Sequence, residues 1–171
     1  MIKTCAPWVA AMLLLAGCGG APAVEPPPPP VVVTVSLTAA ADSNPDGEQR
    51  PSPLVVRLYE LGDAEAFNSA NFFDLWNREP ATLAAALVKR HEFVIAPSGK
   101  ASKVLTLDPR VQAIGVAAAY RDIRNAQWRV VAPLSQAATA PRQVELEVSV
   151  SSRALTITPK HDTAKTAGIP Q

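Results

Sequence analysis

From residue 31 onward the chain is cut into short apolar runs by turn residues, and this segmentation limits the fold more than any other feature. Val31, Val33, Val35 and Leu37 alternate with Val32, Thr34, Ser36 and Thr38, the period of two that lays one face of a strand on a core. Leu54–Leu61 is a second such run, and further strands are predicted over 91–95, 101–107, 113–120, 127–131, 142–150 and 154–158. Pro97-Ser98-Gly99-Lys100, Asp108-Pro109, the polar stretch 122–125 and Ser151-Ser152-Arg153 separate them. About eight short strands at this spacing predict an all-β fold, a two-sheet β-sandwich over residues 31–158. Strands do not alternate with helices, which argues against a doubly wound parallel sheet.

Residues 63–88 interrupt the alternation. Asp63 is placed to cap a turn through Ala66, and Asn71 to cap a second turn at Phe72. Pro80 suits the first turn of a third helix, with Leu83 and Leu87 on one face at i, i+4. A helical insertion is therefore expected between strands 2 and 3. Five of the nine aromatic residues lie in 59–76. The insertion is expected to plug one end of the sandwich core; the functional alternative is a partly exposed partner patch. Residues 159–171 have no period and few apolar side chains, which predicts a disordered tail.

The first thirty residues belong to another kind of sequence. Lys3 precedes an apolar run, Trp8 to Ala16, too short to span a bilayer and of the form of a secretory signal over 1–17. It ends in Leu15-Ala16-Gly17-Cys18, which looks like a bacterial lipobox. Small residues before Cys18 suit peptidase entry, and an acylated Cys18 with three chains exceeds the two-signal requirement for stable anchoring. Cys5 would leave with the signal. Gly19, unlike an aspartate, is compatible with sorting to an outer membrane. Seven of the 17 prolines fall in the first thirty residues, five of them at 26–30. A polyproline II tether over 18–30 would span roughly 40 Å.

Composition removes several function classes. With 16 Lys+Arg against 15 Asp+Glu the formal net charge is +1, falling to zero if Lys3 is cleaved away. That balance lacks the basic excess of a nucleic-acid-binding protein. His91 and His161 are the only histidines and neither has a second ligand at zinc spacing. G-x-S-x-G, Walker A and G-x-G-x-x-G are absent. Glu145 and Glu147 share a strand face, but Val144, Leu146, Val148 and Val150 claim the other for the core, so the glutamates are expected in solvent. The expectation is a protein without catalytic residues or a cofactor.

The loop over 40–52 is more informative. Asp42-Ser43-Asn44-Pro45-Asp46-Gly47 has the opening pattern of a calcium loop, but the twelfth position is Pro53 instead of glutamate and strands flank it. Its Asn, Asp, Pro and Gly are turn formers. A loop this long is often functional, and it is the leading candidate for a protein contact.

Taken in order, these segments resemble the TssJ (SciN-like) outer-membrane lipoproteins of type VI secretion systems. The residues that carry the resemblance are Cys18; Asn44-Pro45-Asp46-Gly47 ahead of Pro53 and the strand to Leu61; the insertion from Phe67 to Leu75; Ile114-Gly115-Val116-Ala117-Ala118-Ala119-Tyr120-Arg121; and Trp128-Arg129. The long proline spacer and the tail after Pro159 depart from it. The resemblance implies a transthyretin-like sandwich with added helices. It also implies a lipid-anchored base for the membrane complex, held in the outer membrane and facing the periplasm. The implied partner is the periplasmic C-terminal region of TssM, met by the loop between the first two strands. In this chain the contact residues are Ala41, Asp42, Ser43, Asn44, Pro45, Asp46, Gly47, Glu48 and Gln49. The competing reading is a periplasm-facing lipoprotein that binds carbohydrate or peptidoglycan, which calls for an open aromatic platform.

Overall fold

A computed structural model describes residues 29–134 and 142–164, with side chains through residue 161. The expected signal, Cys18 and the tether as far as residue 28 lie outside the described residues, as does the expected tail beyond 164. The predicted alternation becomes two four-stranded sheets. In chain order the elements are β1 (Val31–Ala39), β2 (Leu54–Leu61), α1 (Glu65–Ser69), α2 (Phe72–Asn77), α3 (Glu79–Leu83), a 3₁₀ turn (Ala84–Ala86), β3 (Leu87–Ile95), β4 (Lys100–Thr106), β5 (Ala113–Ala118), β6 (Arg129–Pro133), β7 (Arg142–Val150) and β8 (Leu155–Ala164). One sheet has the order β4-β1-β7-β8 and the other β3-β2-β5-β6. β1 and β7 are parallel, and the other pairings are antiparallel.

The main core lies between the sheets. Val33, Val35 and Leu37 of β1 and Val144, Leu146 and Val148 of β7 meet Leu54, Val56 and Leu58 of β2 and Ile114 and Val116 of β5. Each large side chain buried there contributes about 1.5–3 kcal/mol relative to leaving it exposed. Glu145 is exposed and Glu147 half-buried on the opposite face of β7, where Glu147 pairs with Lys160 at 2.7 Å.

The helical insertion does not plug an end of the sandwich. It covers the outer face of the second sheet, where Phe67, Leu75 and Leu83 pack on Tyr59, Leu61, Ala113 and Ala117 in a second core. The reason is in β5, whose six residues are buried on both faces. Its outward residues Ala113, Gly115 and Ala117 are small and leave room for helices. A Cβ on Gly115 would lie 2.9 Å from Leu61 Cδ1 and 3.1 Å from Phe67 Cζ. Buried charge holds the helices in place: Arg57 bonds Glu92 at 2.8 Å and the Trp76 carbonyl at 2.8 Å, and Glu79 lies 3.5 Å from Arg90.

Local signals act largely as expected, with shifts at the boundaries. Asn71 Oδ1 accepts the Asp74 N–H at 2.9 Å and starts α2. Asp63 accepts the Glu65 N–H at 3.0 Å just ahead of α1. α3 stops at Leu83, and Ala84 at φ 44° redirects the chain, so Leu87 opens β3 instead of extending a helix face. β8 continues six residues past the expected end at 158 and reaches Ala164. A register shift between Glu145 and Leu146 lets Pro159 sit opposite Leu146. β8 is an edge strand of its sheet, where the N–H that proline lacks need not pair.

Candidate functional site

The two ends of β1 set the geometry of the candidate site. At the start of β1, the Leu107 N–H donates to the Val31 carbonyl and the Arg142 N–H to the Pro30 carbonyl. At its finish, Ala40 bonds Val150 and Ser98. Nine residues of strand separate these ends by about 26 Å. The chain therefore enters from residue 30 at one end, and the loop over 40–53 stands at the other.

The loop is built from its own polar groups. Ser43 and Asn44 are buried, Pro45 and Asp46 half-buried, and Ala41, Asp42, Gly47, Glu48 and Gln49 exposed. Asn44 is the bolt: its amide donates to the Pro53 carbonyl at 2.9 Å, and its Oδ1 accepts the backbone N–H of Arg121 at 2.8 Å. The second bond ties the loop to the β5–β6 connection, 77 residues away. Asn44 sits at φ 49° and Gln49 at φ 61°, left-handed conformations that Asn tolerates better than most residues. Asp46 is the hub of the outer half. Its Oδ1 accepts the N–H groups of Glu48 at 2.9 Å and Arg50 at 3.0 Å, and its Oδ2 pairs with Arg50 Nε at 2.9 Å. The Arg50 N–H, with further help from the Arg50 side chain and the Glu48 N–H, holds the Asp46 carboxyl below the usual carboxylate range.

This wiring bears on the calcium pattern. The carboxylate oxygens of Asp46 and Oδ1 of Asn44 already accept protein N–H donors. Among the described residues no group of three or more His, Cys, Asp or Glu side chains is placed to hold a metal ion. His91 Nε2 lies 2.8 Å from Glu60 Oε1. Burial pushes the Tyr59 and Tyr120 hydroxyls above their ordinary range, so both stay neutral.

Residues outside the loop join it. A cleft of about 310 Å³ separates Pro45, Asp46, Gly47 and Gln49 from Arg121, Asp122 and Arg153. A second depression shares Asp42, Pro45 and Gln49 with Ser152 and Arg153. The Tyr120 hydroxyl donates to the Ser151 carbonyl at 3.3 Å and joins the β5–β6 and β7–β8 connections behind the cleft. Sequence spacing carries no signal for this convergence, because the three segments come together only when both sheets are stacked.

Among the described residues the aromatic side chains form no open platform. Phe72 stacks on Trp76 at 5.2 Å and meets Trp128 edge-on at 5.3 Å. Arg57 lies 3.9 Å over Trp76 and Arg129 4.7 Å over Trp128, so protein cations already cover these rings. Arg129 also donates to the Phe67 and Ala70 carbonyls. Phe73 is the exposed member, at 62%.

Comparison with known proteins follows the same lines. The family model of the type VI secretion lipoproteins (VasD, EvfM, TssJ) matches residues 31–149. The chain is similar to the crystal structure of the T6SS lipoprotein TssJ1 from Pseudomonas aeruginosa, with 33% identity over 78% of this chain and 98% of that one, and a TM-score of 0.73. It shares its fold with Serratia marcescens Lip, a membrane-bound component of the type VI secretion system, at 22% identity over 78% and 99% of the two chains and a TM-score of 0.69. A chain of the structure described as the T6SS protein TssM C-terminal domain from EAEC matches at 26% identity over 75% and 98%, with a TM-score of 0.59. Among curated proteins none matches.

Proposed function

Because this chain belongs to the type VI secretion lipoprotein family that includes TssJ, we propose that it is the outer-membrane anchor of such a system's membrane complex. In this reading Cys18 carries the lipid, residues 19–30 are a spacer, and residues 41–49 dock on the periplasmic C-terminal region of TssM. The protein works by holding positions, not by chemistry. The observation that carries the proposal is a prebuilt loop at the end of β1 opposite the one where the chain enters from residue 30, the side to which this reading assigns the anchor. A loop bolted through Asn44 and Asp46 loses little conformational freedom when it docks. Standing away from the membrane, it meets a partner that arrives from the periplasm.

The test keeps the bolt and alters the surface. Pro45→Ala, Glu48→Ala and Gln49→Ala combined leave Asn44 and Asp46 in place. The full chain in detergent is titrated with the purified C-terminal region of TssM from the same system. A loss of binding at an unchanged unfolding midpoint supports the loop as the contact, whereas undiminished affinity removes it.

A further inference from the structure

The cleft beside the loop contains a cation that makes no ion pair among the described residues. Asp46 is committed to Arg50 and the Glu48 N–H. Asp122 accepts both of its bonds from the Asn125 amide, at 2.9 Å and 3.1 Å, and lies 3.7 Å from Arg153. Arg121 is exposed on the cleft wall and acts on the Asp46 carboxyl only through space, with no carboxylate within ion-pair distance among the described residues. Its position is nevertheless fixed, because its own backbone N–H is held by Asn44 Oδ1 at 2.8 Å. The same bond that orders the loop therefore orders the base of this side chain. Pro45 and Gly47 form the facing wall, stiff on one side and free of side-chain bulk on the other.

We propose that Arg121 is the charged anchor of the docking surface and receives a carboxylate side chain from an extended segment of the partner seated in this cleft. The proposal rests on the docking reading above and adds the chemistry of the partner segment. A guanidinium presents a planar fork of donors that a carboxylate fills bidentately. Arginine is also among the residues on which interface energy concentrates. With Asp46 paired to Arg50 and Asp122 to Arg153, the surplus charge of the cleft is the positive one of Arg121, which disfavours a basic segment.

The test uses the full chain in detergent against the same TssM region. Arg121→Gln removes the charge and leaves the backbone bond to Asn44 intact. It is expected to weaken binding about tenfold to a hundredfold. Arg121→Lys should recover part of that loss, since charge returns without the fork. Arg124→Gln is the control: an exposed arginine of the same connection that does not line the cleft, expected to bind like the native chain. The native complex should also weaken more with added salt than the Arg121→Gln complex. Native affinity for Arg121→Gln, while the triple loop variant fails to bind, overturns the carboxylate anchor and leaves the docking loop standing. Equal losses for Arg121→Gln and Arg124→Gln also overturn it, in favour of diffuse attraction. Native affinity for the triple loop variant removes the docking reading and this proposal with it.

Discussion

Asn44 joins the loop to the sandwich, and its replacement measures how much order the loop owes to one side chain. In Asn44→Ala two hydrogen bonds are lost, at 2.9 Å to the Pro53 carbonyl and 2.8 Å from the Arg121 N–H. Asn44 is only 3% exposed, so both former partners are left poorly solvated. Each lost bond costs about 1 kcal/mol, more where the orphaned group stays buried. Alanine must also hold φ near 49°, which adds roughly 1 kcal/mol. Together these give a destabilisation of about 3 kcal/mol, measurable as a drop in the urea midpoint at unchanged slope. Asn44→Gly loses the same bonds but tolerates the dihedral. It should be the milder change by up to about 0.6 kcal/mol, once the added freedom of its unfolded chain is set against the relieved dihedral. TssM binding should weaken in both, because an unbolted loop must be ordered on docking. A native midpoint for Asn44→Ala, or a greater loss for Asn44→Gly than for Asn44→Ala, would refute this reasoning.

Three further outcomes are expected. Gly115→Ala forces a Cβ to within 2.9 Å of Leu61 and 3.1 Å of Phe67; it should cost about 1–3 kcal/mol in thermal unfolding and loosen the aromatic near-ultraviolet signal, and an unchanged signal contradicts the packing of helices on the second sheet. The Asp46 carboxyl is held below its ordinary value of 3.8, first by the Arg50 N–H. Because the folded value is the depressed one, the order it supplies is present above that ordinary value and disappears as pH falls through the folded value. Carboxyl NMR of the folded chain should place its titration below that of a peptide of the loop sequence, and coincident titrations speak against the hub. Cys18→Ser should leave a folded protein that no longer fractionates with the outer membrane; continued co-fractionation would assign the anchor elsewhere.

The sandwich was legible because a period of two exposes its inner faces. Val33, Val35 and Leu37 are the residues that alternation assigns to the core, and they are buried there. The place of the insertion was not inferred, although a signal for it existed. The run 113–118 is apolar at every position, the mark of a strand covered on both sides, and its small outward residues leave space for helices. The end of β8 was missed because the residues after 158 have no apolar period; 159–161 are exposed on an edge strand, where the register shift also accommodates Pro159. In the loop, Pro, Gly, Asn and Asp announced turns. They did not distinguish Asn44, which faces inward and supports, from Glu48 and Gln49, which face outward. That distinction depends on Arg121, which only the stacked sheets bring alongside. The cleft was therefore illegible for the same reason.

The docking surface is tested most directly inside the cell. A photo-crosslinking residue is placed at Glu48 on the exposed loop, or at Ser36 on the exposed outer face of the first sheet, in a strain with a working secretion system. A crosslink to TssM from position 48 and none from position 36 is the predicted result. A TssM crosslink from position 36, with none from position 48 while the complex assembles, would contradict docking through the loop.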